Sequence, residues 1–415
     1  MNIAFVTATR PHAGGMINYL NNYSYGARQL GHHVDIISIF ETTAGERKKM
    51  PEIDAKMGGI LEGRDWLNFI AWQAISLIIF IRFLPNYLKK KYDFVYITDI
   101  LSFNTLQLWI KLFKIPTILN PVDSVSSVLV SKKMAYPGGW FYQYILRQEK
   151  KAYLKAKALL SSGEDISAYI EKVAGKKLDI KIADNSIDEK KFYVNKNAGQ
   201  AMRSKLNLKD KFIVLYVGRL SQEKGVTFLL RSLPEILKQD PGSNIFLAIG
   251  GASGPDKENI INYIKDNNYQ DYARMLGYIA DEDLNSLYNM SDIFCAPSVV
   301  FEGEATDYLK DKKGNKLELT ISAATTTLQE AMACGKAVIG SDVPGSKEII
   351  KHGVDGILVP DKNPGAIAQA ILKLKNDDEY RQKIATAALT TVQERYLPRV
   401  VAQKLISYYY EKFKK

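Results

Sequence analysis

Phe212-Ile213-Val214-Leu215-Tyr216-Val217-Gly218-Arg219-Leu220-Ser221-Gln222-Glu223-Lys224-Gly225 is the stretch that decides how this chain is read. The apolar run Phe212 to Val217 predicts a buried parallel strand, and the pattern Val226 to Lys238 predicts a helix after it. Between them, two cations, Arg219 and Lys224, are held between glycines. A strand, a tight turn and a helix, with cations at the carboxyl end of the strand, is where an open α/β sheet receives a phosphorylated ligand. Arginine offers phosphate a planar fork and lysine a compact charge. A solvated basic turn is the plain alternative.

The same rhythm runs outward in both directions. Before this turn, strands are predicted at Asn2–Thr7, Val34–Phe40, Phe94–Thr98, Thr117–Asn120, Ala158–Ser161 and Asp179–Ala183, with helical patterns between them. After it, strands follow at Asn244–Ile249, Ala273–Leu276, Ile293–Ala296, Ala337–Gly340 and Gly356–Val359. Two strand–helix series of similar size imply an α/β protein of two doubly wound domains. A length of 415 residues agrees, being too long for one ordinary core. The expected division is 1–184, 185–395 and a last helix, 396–415, with the polar stretch Asp184 to Asp210 as linker. Tyr408-Tyr409-Tyr410 gives the last helix an aromatic face suited to core packing. Residues 301–321 break the rhythm. Lys310 to Lys316 is polar with a Gly-Asn turn signal, and Leu317 and Leu319 alternate after it, as in an inserted hairpin.

Composition narrows the class. The two cysteines, Cys295 and Cys334, lie in apolar segments, which excludes a disulfide scaffold and points to a reducing compartment. Four histidines, two of them adjacent, do not make a metal site, and none is expected. The amino terminus runs directly into a strand without the pattern of a secretion signal, so a cytoplasmic location is expected. Net charge is +11, divided as +7 over residues 1–190 and +4 over 191–415. A basic first half suits an anionic membrane surface or an acidic substrate. Nucleic acid is not expected, since no recognition motif with interleaved aromatics is visible. Trp66 to Leu84 is interrupted only by Asn68, Gln73, Ser76 and Arg82, and Lys89-Lys90-Lys91 follows. It reads first as a buried or groove-lining helix, with an in-plane membrane contact and a membrane span as alternatives.

Two further places could hold phosphate. Gly14-Gly15 follows the first strand and opens a helix, where backbone can approach a ligand closely, a plain turn being the alternative. Thr325-Thr326-Thr327 begins the helix that carries Glu330. Three β-branched residues in a row form a helix poorly, which suggests hydroxyls and amides used for an anion, or plain capping. Glu330 lies on the face of Thr326, within Leu328-Gln329-Glu330-Ala331-Met332-Ala333-Cys334-Gly335. A carboxylate among such neighbours must be paired or hydrogen-bonded. Holding the vicinal hydroxyls of a ribose is one use, and a salt bridge to a neighbouring lysine is another.

These residues carry a resemblance. The second half resembles the nucleotide-binding domain of the family-4 retaining glycosyltransferases of the GT-B fold, the glycosyl transferases group 1. Val217 to Leu220 with Lys224-Gly225 matches their diphosphate-binding turn. Gly277-Tyr278, Ser291-Asp292, Ala296-Pro297-Ser298, Leu328 to Gly335 and Asp342-Val343-Pro344-Gly345 continue the match in register. Asn185-Ser186-Ile187-Asp188 resembles the family's interdomain motif, and Gly14-Gly15 its amino-terminal glycine loop. The resemblance implies two Rossmann-like domains facing a central cleft, with the carboxyl-terminal helix returning to the first domain. It implies a metal-independent retaining hexosyltransferase that needs no cofactor beyond its nucleotide-diphosphate sugar. The basic first half and the 66–84 helix, which would let the protein sit on an anionic membrane at its inner face, suggest a glycan or a lipid-linked sugar as acceptor. Arg219 and Lys224 would neutralise the leaving diphosphate, helped by Thr326 and Thr327. Glu330 would hold the ribose, and backbone at Tyr278 and Ile279 would read the base. Ser322 stands where the family usually has a donor-sugar glutamate, with Glu302, Glu304 and Glu318 as possible replacements. Asp123 is the nearest polar group where a histidine is common. Rival readings are a non-catalytic GT-B subunit that binds nucleotide or glycan, and a GT-B nucleotide-sugar epimerase.

Overall fold

The structure is a computed structural model. It describes residues 1–8, 15–38, 64–122, 124–131, 134–135, 139–300 and 326–414. The chain forms two compact units. One holds Met1–Ser186 and Pro398–Lys415, and the other begins at Ile187 and ends at Leu397.

The first unit contains β1 (Asn2–Thr7), β2 (His33–Ser38), β3 (Phe94–Ile97), β4 (Thr117–Leu119), β5 (Ala158–Ser161) and β6 (Ile180–Ile182). They form a parallel sheet in the order β2-β1-β3-β4-β5-β6. The order reverses between β1 and β3, which pair through Phe5 and Tyr96. Gly15 opens the helix Gly15–Gln29, the first after β1, and an open α/β sheet forms its ligand crevice at such a switch point. Apolar residues on both faces of the strands bury against helices, so the strands read as continuous hydrophobic runs.

The second unit contains β7 (Phe212–Val217), β8 (Ile245–Gly250), β9 (Ala273–Gly277), β10 (Ile293–Ala296), β11 (Ala337–Ser341) and β12 (Ile357–Val359). Its order, β12-β11-β10-β7-β8-β9, is again all parallel, with the switch point between β7 and β10. All twelve expected strands are present. Two six-stranded parallel sheets, each wound on both faces, are the two doubly wound domains expected from the sequence.

The last helix, Pro398–Phe413, belongs to the first unit, as expected for a returning helix. Val401, Ala402, Leu405, Tyr408 and Tyr409 join the core beneath β1 and β3, and Tyr409 stacks on Phe94 at 4.7 Å. Gly26 makes the approach possible, because a Cβ there would lie 1.9 Å from the Pro398 carbonyl oxygen. Tyr408 and Tyr409 are buried core residues, whereas Tyr410 is half exposed.

Three expectations change. Asp184 to Asp210 is not a free linker. The helix Lys196–Lys205, capped by the Asn195 side chain, packs through Met202 into the second unit's core. Arg203 fixes it with hydrogen bonds to the Met290 carbonyl and the Asp292 carboxylate, each at 2.7 Å. The helix expected over Val226 to Lys238 divides into Val226–Leu230 and Leu233–Gln239, because Pro234 can enter a helix only in its first turn. The helix Asp65–Lys90 is not buried over most of its length. Only Asn68, Ile79 and Phe83 are, and Trp66, Ile70, Leu77, Ile81 and Leu88 are all exposed. The expected hairpin at 301–321 lies outside the described residues.

Candidate functional site

The turn after β7 is fixed from both sides. The Gly218 amide donates to the Gly250 carbonyl at 3.0 Å, and the Leu220 amide to the Ser253 carbonyl at 3.1 Å. The Asp256 amide donates back to the Leu220 carbonyl at 2.9 Å, so the loop leaving β8 holds one flank. On the other flank, the Val299 amide beyond β10 donates to the Glu223 carbonyl at 3.0 Å. Gln222–Lys224 makes one tight helical turn, and Gly225 closes it in the left-handed region at φ 65°. A Cβ at Gly225 would lie 1.8 Å from the Pro297 carbonyl oxygen, so only glycine lets the turn sit this close to the end of β10. Backbone hydrogen bonds and a glycine thus place the two cations at the topological switch point of the second sheet.

The cations differ. Arg219 is 77% exposed, with Glu223 at 3.6 Å. Lys224 is half-buried, and its ammonium is pushed down to about 8. Desolvation is the main cause and the charge of Arg219 the second, while Glu223 pulls the other way. Glu223 is a carboxylate that sequence reading left unassigned. It accepts a hydrogen bond from the Ser221 hydroxyl at 2.6 Å. Tyr216 contributes a second unassigned group, its hydroxyl donating to the Arg219 carbonyl at 2.7 Å.

Two neighbouring positive charges, one of them poorly solvated, are costly unless an anion joins them. A titration follows from this. Below about 8, Lys224 is charged in the free protein. A bound diphosphate favours the charged form and raises its pKa, so binding takes up a proton near that pH. Affinity for a nucleoside diphosphate is therefore expected to fall as pH rises through about 8, by up to about tenfold per unit until the pKa of the complex is reached. Calorimetric titration at about pH 7 and about pH 9 checks the sign.

Glu330 lies on the helix Thr326–Ala333, which joins β10 to β11. Its carboxylate accepts a hydrogen bond from the Tyr288 hydroxyl at 2.5 Å. Desolvation pushes its carboxyl above the ordinary range, while the Tyr288 hydrogen bond and the charge of Lys191 oppose the rise. Lys191 itself pairs with Asp281, so the expected lysine partner is within electrostatic range but engaged elsewhere. Tyr288 is fully buried and stands edge-on to Phe192. It was not singled out from the sequence, because 42 residues separate it from Glu330 and no local spacing links them. Tyr216, whose hydroxyl meets the Arg219 carbonyl, also lies within electrostatic range of Tyr288.

Thr326 is exposed and Thr327 half-buried at the start of the same helix. Tyr278, directly after β9, is 79% exposed, and Ile279 packs against the second unit's core. Gly14, Asp123, Ser322, Thr325 and the three alternative glutamates Glu302, Glu304 and Glu318 lie outside the described residues. Burial pushes the Cys295 and Cys334 thiols up to about 12, which leaves both unreactive.

Residues 199–390 match the family model described as glycosyl transferases group 1. An uncharacterized glycosyltransferase of Methanocaldococcus jannaschii is 30% identical over 237 residues, which are 55% of this chain and 53% of that protein. The chain spans about half the length of the curated relatives it matches. Among solved structures, HepE of Anabaena in complex with UDP aligns with a TM-score of 0.64 at 16% identity, over 98% of this chain and 99% of that one. Sucrose-phosphate synthase of Thermosynechococcus elongatus aligns with a TM-score of 0.66 at 19% identity, over 100% of this chain and 99% of that one. Both likenesses concern the fold.

Proposed function

We propose that this protein, whose residues 199–390 match the glycosyl transferases group 1 model and whose fold is that of GT-B chains, transfers a hexosyl group from a nucleotide-diphosphate sugar. The observation that carries the reading is the basic turn of Arg219 and Lys224 at the switch point between β7 and β10. When the bond between the anomeric carbon and the diphosphate breaks, negative charge develops on the diphosphate. Cations already in place stabilise that charge without reorganising. In this reading Arg219 and Lys224 do the work that a metal does in other transferases, and Thr326 and Thr327 add donors. Glu330, steadied by Tyr288, accepts hydrogen bonds from the ribose hydroxyls. The backbone at Tyr278 and Ile279 reads the base. The sugar passes through an oxocarbenium-like state, and the acceptor hydroxyl bonds with retention of configuration.

The acceptor is a glycan or a lipid-linked sugar, and the protein works on the cytoplasmic side of a membrane. Support for this comes from the basic first unit. That UDP occupies HepE, a chain of the same fold, supports a nucleotide donor here.

A panel of nucleotide sugars tested by thermal shift identifies the donor, since a bound ligand stabilises the fold by mass action. Release of nucleoside diphosphate from that donor then tests the chemistry. Release by the wild type, lost in Lys224→Ala, is the expected result. Binding without release would favour a non-catalytic subunit, and interconversion of the donor sugar an epimerase. Glu330→Gln is expected to weaken nucleotide binding about tenfold, because a neutral amide replaces a charged acceptor. The same substitution should leave affinity for inorganic pyrophosphate unchanged, which separates the ribose from the diphosphate.

A further inference from the structure

The helix Asp65–Lys90 carries an apolar face that the first unit does not cover. Trp66, Ile70, Leu77, Ile81 and Leu88 are each between 54% and 59% exposed. At 100° per residue these positions fall within about 60° of one another, in a stripe about 33 Å long. The opposite face is seated: Ile79 and Phe83 are in the core, and the Asn68 amide donates to the Met134 carbonyl at 2.7 Å. Neighbouring helices widen the stripe. Trp140, itself exposed, lies 5.7 Å from Phe69, and Trp109 stacks on Phe80 at 4.7 Å, next to exposed Leu108 and Leu112.

The surrounding charge is mainly basic, with Lys90 already paired with Asp35 at 2.7 Å. Segments 65–91, 100–114 and 140–155 contain four, two and four basic residues, against the acids Asp65 and Glu149. Glu149 is wholly buried and takes hydrogen bonds from Tyr169 and the Ser126 amide. Lys155 is held below the ordinary lysine range by desolvation, then by the charges of Lys151 and Lys111.

We propose that this face is a membrane-docking surface, on which the helix Asp65–Lys90 lies in the plane of a bilayer containing anionic lipid. The apolar stripe enters the acyl boundary and the flanking cations meet the headgroups. Charge decides between the possible occupants. A second copy of this chain would bring one basic face against another, whereas anionic lipid complements it. A span is opposed by the buried side of the helix, which would have to leave its core. The inference deepens the membrane location proposed above and rests on this surface, whereas sugar transfer is tested separately by release of nucleoside diphosphate.

The test uses the full-length chain with vesicles of phosphatidylglycerol and phosphatidylcholine in equal parts, and of phosphatidylcholine alone. Wild-type protein is expected to co-sediment with the anionic vesicles, with a blue shift of tryptophan fluorescence, and to be released by alkaline carbonate. The double variant Leu77→Glu/Ile81→Glu should lose at least about tenfold in partitioning. Lys111→Gln/Lys151→Gln/Lys155→Gln should lose about fivefold per cation, on anionic vesicles only. Both variants change exposed positions, and unaltered circular dichroism and melting confirm that they fold. Equal partitioning of wild type and the glutamate variant, or no binding to anionic vesicles, would overturn the proposal. So would resistance to carbonate, or a dimer in sedimentation equilibrium that the glutamate variant dissociates.

Discussion

Lys224→Ala is expected to lower turnover of the donor sugar by about 10²–10³-fold, the loss seen when one preorganised group that stabilises developing charge is removed. Lys224 is half-buried, and its pKa, pushed down to about 8, shows how poorly its charge is solvated before ligand arrives. A charge in such a place interacts strongly with diphosphate, because water does not screen it. Arg219 is the weaker partner. It is 77% exposed, and Glu223 lies 3.6 Å away. Arg219→Ala is therefore expected to cost about tenfold, within the range for an exposed, screened charge on a phosphate ligand. Lys224→Arg should not restore full activity, since a broad guanidinium fork would replace a compact ammonium at a half-buried position. Neither alanine variant should disturb the turn, which backbone hydrogen bonds to Gly250, Ser253 and Val299 hold in place. Steady-state release of nucleoside diphosphate measures the loss, and a melting curve verifies the fold.

Gly225→Ala is expected to be the most damaging single methyl group in the second unit. The residue lies at φ 65°, where a side chain costs about 1–2 kcal/mol. Its Cβ would also meet the Pro297 carbonyl oxygen at 1.8 Å and Val299 Cγ1 at 3.2 Å, and overpacking of that kind costs about 1–3 kcal/mol more. A melting temperature lowered by about 5–15 °C follows for a unit of this size. The only relief is to move the turn away from β10, which takes Arg219 and Lys224 with it. Nucleotide affinity should therefore fall even at temperatures where the variant is folded. Melting followed by circular dichroism, together with calorimetric titration, measures both effects. Unchanged stability would mean that the turn yields easily and does not position the cations.

Much of the fold was legible because parallel strands buried on both faces are written as short apolar runs between turn signals. Phe212–Val217 and Ile293–Ala296 needed no other information. Two features misled. Lys196–Lys205 is so polar that it resembled a linker, yet Met202 packs into the core, Gly199 lies against Asn289, and Arg203 reaches Met290 and Asp292 far along the chain. Trp66 to Leu84 is apolar on nearly every side, and periodicity cannot say which apolar side of a helix meets the core. Ile79 and Phe83 do so, whereas Leu77 and Ile81 do not. Within the site, Arg219 and Lys224 could be read together because they share one turn. The Tyr288–Glu330 hydrogen bond could not, because it forms only when the helices on either side of β10 come together. Glu223 was visible in the sequence, but its place beside Arg219 depends on the helical turn it sits in.

The central claim is that the turn after β7 holds the diphosphate of a sugar donor. Calorimetric titration of the nucleoside diphosphates of uridine, guanosine, adenosine, cytidine and thymidine into wild-type protein and Lys224→Ala tests it most directly. The account predicts that at least one binds the wild type, and that Lys224→Ala weakens that binding by at least about tenfold. Binding of equal strength to both proteins, or binding of none of the five to the wild type, would contradict it.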